Sequence, residues 1–317
     1  MNILRRVPLP ACGVMLGTAA LGSLLQGRSA TAHAVCGLAA LFLLVLLVLK
    51  LLCCPQLFRE DMKNPVLAGV SGTFTMGLMI LSTYLAPFTA HGALAVWLLA
   101  IALHAALIVY FTAAFLPHAG GRPMSASWFI VYVGAAAAAV TAPARTGAVH
   151  SIGAVTFWFG LVTMIPLMVV ISVRYLQKQE TPPPARPLIC IYAAPVSLCL
   201  TAYINCFAAH SLPFVLGMYF TACFFYIFAF AMLIRTMRGP FFPSWAAYTF
   251  PFVVSAIASA KTMTAAAATG SPQAWIAPIA GVETAAAVVL VVYVYVRYMI
   301  RIFAPERAKR EEERRQG

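Results

Sequence analysis

The sequence predicts an all-α integral membrane protein: ten transmembrane helices arranged as five helical hairpins around a central pore. Three observations carry that expectation. The 317 residues are 62% hydrophobic and only 9% charged, whereas a soluble domain carries roughly 25% charged residues. Ten segments each reach the ~20 apolar residues that a membrane helix needs. The segments also alternate in texture, small and broken, then bulky and continuous, which is the signature of a two-helix repeat.

The ten spans fall near residues 7–26, 31–53, 65–87, 91–116, 125–144, 149–175, 187–208, 212–235, 243–264 and 276–301. Span 1 is one of a long series, so it reads as a membrane helix and not as a cleaved leader. Short connections leave no room for a soluble catalytic domain within residues 1–303, and residues 304–317 form a charged tail. The odd spans open at Pro8/Pro10, Pro65, Pro123, Pro187 and Pro243, in steps of 57, 58, 64 and 56 residues. Each step holds one hairpin.

The odd spans are rich in small residues and helix breakers. Span 1 has Gly13, Gly17 and Gly22; span 3 has Gly69, Gly72 and Gly77 among Ser71, Thr73 and Thr75. Span 5 has Gly134 before five alanines, span 7 has Pro195, and span 9 has Pro251. Pro251, Pro195, Gly13 and Gly134 are the expected kinks, because proline removes a backbone donor and glycine admits bends. The even spans are bulky, as in LFLLVLLVLKLL of span 2 and FTACFFYIFAFAMLI of span 8. Small residues permit close helix approach or leave space for a lumen, while bulky residues suit lipid. The expectation is an inner ring of odd helices around a narrow channel and an outer ring of even ones; small-residue packing in a solid bundle is the alternative.

Charge sets the orientation. The net charge is +13, but it is not a nucleic-acid footprint. Of 21 Lys and Arg, 18 fall at the N-terminus, after the even spans, or at the C-terminal end, from Arg5 and Arg6 to Arg314 and Arg315. Only Arg28, Arg145 and Lys261 fall on the opposite side. That asymmetry places both termini in the cytoplasm. The mixed-charge tail, Glu306 to Gly317, reads as a solvated helix end.

Titratable groups are scarce inside the spans. Glu283 in span 10 is the one acidic residue within a span, expected to pair with a neighbour or to lie near the outer interface. His104, within span 4, reads as hydrogen-bonded in the bundle. Asp61, the sole Asp, lies in a loop, so no Ser-His-Asp set can be assembled. The eight cysteines and six histidines show no zinc-ligand spacing, so no metal and no cofactor is expected. Cys53-Cys54 stands at the end of span 2, where acylation is conceivable. A phosphate-binding GxxxxGK[ST] loop is missing, which argues against ATP-driven pumping.

Span 9, PSWAAYTFPFVVSAIASAKTMT, is the most informative stretch. Phe250 stands directly before the kinking Pro251, and Ser244, Thr249, Ser255 and Ser259 share a hydroxyl-rich face. A broken membrane helix is tolerated where its freed backbone groups line protein or water, so this span reads as pore-lining with Phe250 at its break. Hydroxyl and backbone donors suited to an anion are sought at Thr18, Ser71, Thr73, Thr75, Thr141, Thr201, Thr249 and Ser255. Arg145 and Lys261, at the outer ends of spans 5 and 9, are candidates for a basic vestibule; snorkelling at the interface is the alternative.

VPLPACGVMLGTAALG, NPVLAGVSGTFTMG, RPLICIYAAPVSLCLTAY and PSWAAYTFPFVVSAIAS, in spans 1, 3, 7 and 9, resemble the odd helices of the tellurite-resistance/dicarboxylate transporter family. That family includes a bacterial tellurite-resistance membrane protein, fungal malate and sulfite transporters and the plant guard-cell slow anion channel. The WAxYTFP motif is the most specific element, and the resemblance covers all ten spans. It implies five hairpins about a pore, a homotrimer, and a span-9 phenylalanine that occludes the pore at mid-membrane, matching Phe250. The long cytosolic tails of the plant channel have no counterpart here, and with them goes the expectation of phosphorylation control. The implied partners are a small inorganic or dicarboxylate anion and the lipid bilayer, with no nucleic acid. The implied setting is a cell membrane, the inner membrane of a bacterium.

Three readings follow. One is an anion channel or uniporter plugged by Phe250. Another is a proton-coupled transporter of dicarboxylate, sulfite or tellurite-type oxyanions, which needs a titratable group in the pathway. A membrane enzyme or scaffold is the third, and it lacks a catalytic constellation.

Overall fold

A computed structural model describes residues 2–118, 124–143, 147–177 and 181–304. Arg122, Pro123, Arg145, Lys178 and the tail from Glu306 to Gly317 lie outside the described residues. Among the described residues every regular element is helical. In chain order these are α1 (Asn2–Arg6), α2 (Ala11–Leu25), α3 (Ala30–Cys53), α4 (Pro55–Lys63), α5 (Pro65–Leu85) and α6 (Ala90–Phe115). Next come α7 (Ser127–Tyr132), a 3-10 stretch over Val133–Ala136, α8 (Ala137–Thr141) and α9 (Gly147–Leu176). A 3-10 stretch Pro183–Ala193 leads into α10 (Ala194–Cys206), followed by α11 (Leu212–Thr236). A last 3-10 stretch, Pro243–Tyr248, leads into α12 (Phe250–Ala268), and α13 (Ile276–Phe303) ends the bundle.

Local chemistry starts and stops these helices. Asn64 accepts hydrogen bonds from the amides of Val66 and Leu67, with Pro65 opening α5; Ser29 and Thr89 cap α3 and α6 in the same way. Each cap satisfies an amide that would otherwise lack a partner, worth about 1 kcal/mol. At the end of α12 the chain reverses at Gly270, whose φ of 77° lies in the left-handed region. The amides of Gly270 and Ser271 return to the carbonyls of Ala267 and Ala266.

Among the described residues, eight helical segments are long and apolar enough to cross a membrane, by length and composition. Two more apolar helices are shorter, Ala11–Leu25 and Ser127–Thr141. The sequence drew these two as full-length spans. Their shortness has a physical reason: α2 and the α7–α8 segment are buried on nearly every face, so protein, and not lipid, satisfies them and the hydrocarbon thickness does not set their length.

Burial separates the segments into two layers. In α5, Pro183–Cys206 and Pro243–Ala268, 67–89% of the most apolar stretch is buried, against 22–39% in α3, α6, α9, α11 and α13. The small-residue segments pack in a closed cycle: α2 on α5, α5 on α7 and α8, α8 on α10, α10 on α12, and α12 back on α2. Each leans on the helix that follows it, so α3, α6, α9, α11 and α13 lie outside the cycle. Exposed Val, Leu and Phe side chains coat these outer helices, as at Leu52, Val109, Val162, Ile227 and Val282. The two ends of the described chain meet, where the Arg6 guanidinium donates to the carbonyl of Ala304 at 3.1 Å.

Candidate functional site: two axial cavities bordered by Phe250

Three of the five ring segments change helix type within the bundle. The α7–α8 segment passes through its 3-10 turn at Val133–Ala136, which contains Gly134. The Pro183 segment becomes α-helical at Ala194, with Pro195 in its first turn. The Pro243 segment becomes α-helical at Phe250, with Pro251 next. Between its two parts Thr249 has φ −101° and ψ −88°. Proline in a first turn costs no hydrogen bond, because its missing amide would have had no helical partner there. Gly13 departs from the expected kink. It lies inside α2, which runs on in one helix type from Ala11; the irregular stretch lies ahead of it, at Val7–Pro10. The role of Gly13 is close approach, since a Cβ there would lie 3.1 Å from Cβ of Ala246.

Hydroxyls tie the breaks together. The carbonyl of Ala193, at the junction ahead of α10, accepts from Ser197 at 2.9 Å and from Ser255 at 3.2 Å. Ser197 and Ser255 are also 3.1 Å apart, so the start of α10 is bound to α12. Thr249 Oγ1 reaches the carbonyl of Gly13 at 3.0 Å and that of Ala246 at 2.7 Å. A Cβ on Gly17 would stand 2.5 Å from Thr249 Oγ1 and 2.9 Å from the Phe250 amide. Glycine is therefore what allows α2 to lie against the backbone that carries Phe250.

Two cavities lie within the ring. The first, about 50 Å³, is bounded by residues from all five ring segments, among them Gly13, Thr73, Gly134, Pro195, Ser244, Phe250 and Pro251. The second, about 20 Å³, is bounded by Ile80, Val140, Thr141, Thr201, Phe250 and Val254. In the four segments that border both, the residues of the first lie N-terminal to those of the second, apart from the shared Leu198 and Phe250 and from Pro251, so the two follow one another along the ring axis. Phe250 and Leu198 border both. The Phe250 side chain is buried, at 7% exposure.

The lining is less polar than the hydroxyl inventory suggested. Thr73 lines the first cavity, and Thr141 and Thr201 the second, but each donates its proton to a carbonyl of its own helix at 2.7–2.8 Å. Thr18 does the same toward Val14, and Ser71 toward Ala68. Thr75 meets His104 Nδ1 at 2.6 Å, while Ser255 and Thr249 hold the helix breaks described above. The lining hydroxyl without a partner is that of Ser244. Whether a hydroxyl faces its own helix or the lumen is a matter of one rotamer, which residue type does not encode.

The ionisable groups within the spans sit behind the ring. His104 is buried and places Nε2 3.0 Å from the carbonyl of Val131, ahead of the break at Gly134. A carbonyl only accepts, so Nε2 carries the proton. Glu283, 3% exposed, accepts a short hydrogen bond from Ser259, whose hydroxyl also lies 3.3 Å from Tyr219. Neither residue borders the two axial cavities. Lys261 is partly exposed on α12; Arg145, its expected companion, lies outside the described residues. All eight cysteines are free, and the described residues contain no His/Cys/Asp/Glu group able to hold a metal.

Residues 6–299 match the model of the SLAC1 family, described as voltage-dependent anion channels. No curated protein matches the chain. The match spans nearly the whole chain, and the family indicates anion transport across a membrane by channels and transporters, not enzymes. Taken with the many apolar helices, it makes this a multi-pass membrane protein, and the chain belongs to the SLAC1 family of anion channels.

Proposed function

We propose that the protein conducts small anions along the axis of the five-segment ring, with Phe250 as the plug. The observation that carries this reading is that one aromatic ring borders both axial cavities. Spaces of this size hold a few waters at most, and an apolar constriction stops ions by excluding their hydration shell. The breaks at Gly134, Pro195 and Pro251 leave room beside the plug, and the threonine hydroxyls and Ser244 supply weak contacts once a rotamer turns. Weak, uncharged contacts favour fast passage over tight binding.

Channel or uniporter action is favoured over proton coupling by the placement of Glu283 and His104. Coupling requires a titratable group in the pathway, and both lie outside the axial cavities. Inorganic anions and C4-dicarboxylates, sulfite or tellurite-type oxyanions are the candidate cargoes. In this reading all ten segments cross, both termini and the tail from residue 304 are cytoplasmic, Lys261 and Arg145 flank the outer mouth, and three chains assemble in a bacterial inner membrane.

The test is anion current through wild type and Phe250→Ala in planar bilayers, with chloride, nitrate and malate compared. A large current gained by the Ala variant is expected. Silent bilayers for both proteins, with pH-driven malate or sulfite uptake into vesicles, would replace the channel by the coupled transporter.

A further inference from the structure

A larger cavity lies away from the axis, between the first two hairpins. Its volume is about 360 Å³, and its walls come from α2, α3, α4, α5 and α6. Leu47, Phe58, Met62, Phe74 and Leu107 make most of it apolar, and one cation, Lys50, stands in the wall. Lys50 is 6% exposed. Its ammonium lies 3.3 Å from Asp61 Oδ2, and the Asp61 side chain is 27% exposed. An ammonium has three donors, and this carboxylate takes one of them.

The surroundings are those of a membrane surface. Helix α4 turns Phe58 and Met62, one turn apart, into the cavity and leaves Arg59 and the Lys63–Glu60 ion pair exposed. That is the build of a helix lying in a bilayer interface. Tyr110 on α6, exposed like other interfacial tyrosines, donates to the carbonyl of Met62 at 2.9 Å and borders the same cavity. The basic N-terminal α1, with Arg5 and Arg6, packs on the neighbouring α3. An apolar slot with a buried ammonium that spends one of its three donors on Asp61 fits an amphiphile with an anionic head.

We propose that this cavity holds one acyl chain of an anionic phospholipid, whose phosphate shares the Lys50 ammonium with Asp61. Phosphate and carboxylate then compete for the same donors. The lipid site is separate from the axial path, and residues of α2 and α5 border it.

The experiment is native mass spectrometry of the full chain, delipidated in mild detergent and titrated with phosphatidylglycerol, phosphatidylcholine of the same chains, or palmitate. Phosphatidylglycerol binds preferentially to wild type. Lys50→Met lowers its affinity about tenfold, the worth of a charge-assisted hydrogen bond, and lowers that of phosphatidylcholine, whose phosphate is already paired with its own choline cation, by less. Asp61→Asn, by removing the competing carboxylate, raises phosphatidylglycerol affinity. Ala106→Trp, at an exposed position bordering the cavity, fills the slot with Lys50 intact and weakens both phospholipids. An unchanged preference in Lys50→Met, or a loss of phosphatidylglycerol binding in Asp61→Asn, would leave Lys50 and Asp61 as a strut alone and overturn the proposal. Palmitate displacing phosphatidylglycerol at equal concentration would assign the slot to free fatty acid and overturn it too.

Discussion

Gly17 and Gly77 look alike in sequence, yet the structure separates them. A Cβ on Gly77 would meet the terminal methyl of Met15 at 2.4 Å, the far end of a flexible side chain. A Cβ on Gly17 would meet Thr249 Cβ and Oγ1 at 2.5 Å and the backbone nitrogen of Phe250 at 2.9 Å. Backbone cannot swing aside, so Gly17→Ala pushes the start of α12 away from α2. Overpacking of this kind costs about 1–3 kcal/mol. Thermal unfolding in detergent is expected to show Gly17→Ala several degrees below Gly77→Ala. In the same bilayer assay Gly17→Ala is expected to leak, with less current than Phe250→Ala. Equal stability of the two variants would remove the argument that α2 sets the position of Phe250. Phe250 and Pro251 were legible in the sequence, because an aromatic beside a mid-span proline is a local pattern. The Gly17–Thr249 approach was not, because it joins residues from opposite ends of the chain. Nor were the threonine rotamers, since one residue type serves both lumen and helix.

Carbonyls beside two of the helix breaks receive side-chain donors. Ala193 receives Ser197 and Ser255. Val131 receives His104 from the neighbouring α6. With Nε2 donating, Nδ1 can only accept in the neutral ring, and Thr75 is placed at 2.6 Å to donate to it. His104 thus acts as a cap supplied from another helix. His104→Leu removes the side-chain contacts to the Val131 carbonyl and to Thr75, a cost of about 0.5–1.5 kcal/mol for each hydrogen bond lost. Thr75→Val removes the hydroxyl shared by His104 Nδ1 and the Gly72 carbonyl but keeps the His104–Val131 contact, so its loss of stability should be smaller. Comparison of melting temperatures checks the order, and a reversed order would show that the Val131 contact is dispensable. At this scale most of the architecture was readable. The alternation of small and bulky spans foretold which would be buried, and span limits agreed closely for the long helices. What escaped was helix type: 3-10 stretches at Pro183–Ala193 and Pro243–Tyr248 look apolar and helical to any hydropathy pattern. Gly13 misled because a glycine that admits a neighbour and one that bends a helix are the same letter.

The whole molecule raises a question of depth. Helix α2 has 15 residues, about 22 Å at 1.5 Å per residue, while a bilayer core is about 30 Å thick. If α2 met lipid directly, that shortfall would expose backbone to hydrocarbon. It meets α3, α5, α12 and α13 instead, so the longer helices around it can span the bilayer while α2, like the α7–α8 segment, spans only its middle. Crossing by α2 then puts the N-terminus and Arg28 on opposite sides, with the 18 basic residues of the majority side in the cytoplasm. Reporter fusions in a bacterial host test this. A fluorescent protein after residue 317 should glow. Alkaline phosphatase fused after Arg28 should be active, and after Lys63 inactive. Phosphatase activity after Lys63 but not after Arg28 would mean that α2 does not cross. The ring would then lack one of its five walls as a transmembrane path, and the axial cavities would lose their meaning as a route for anions.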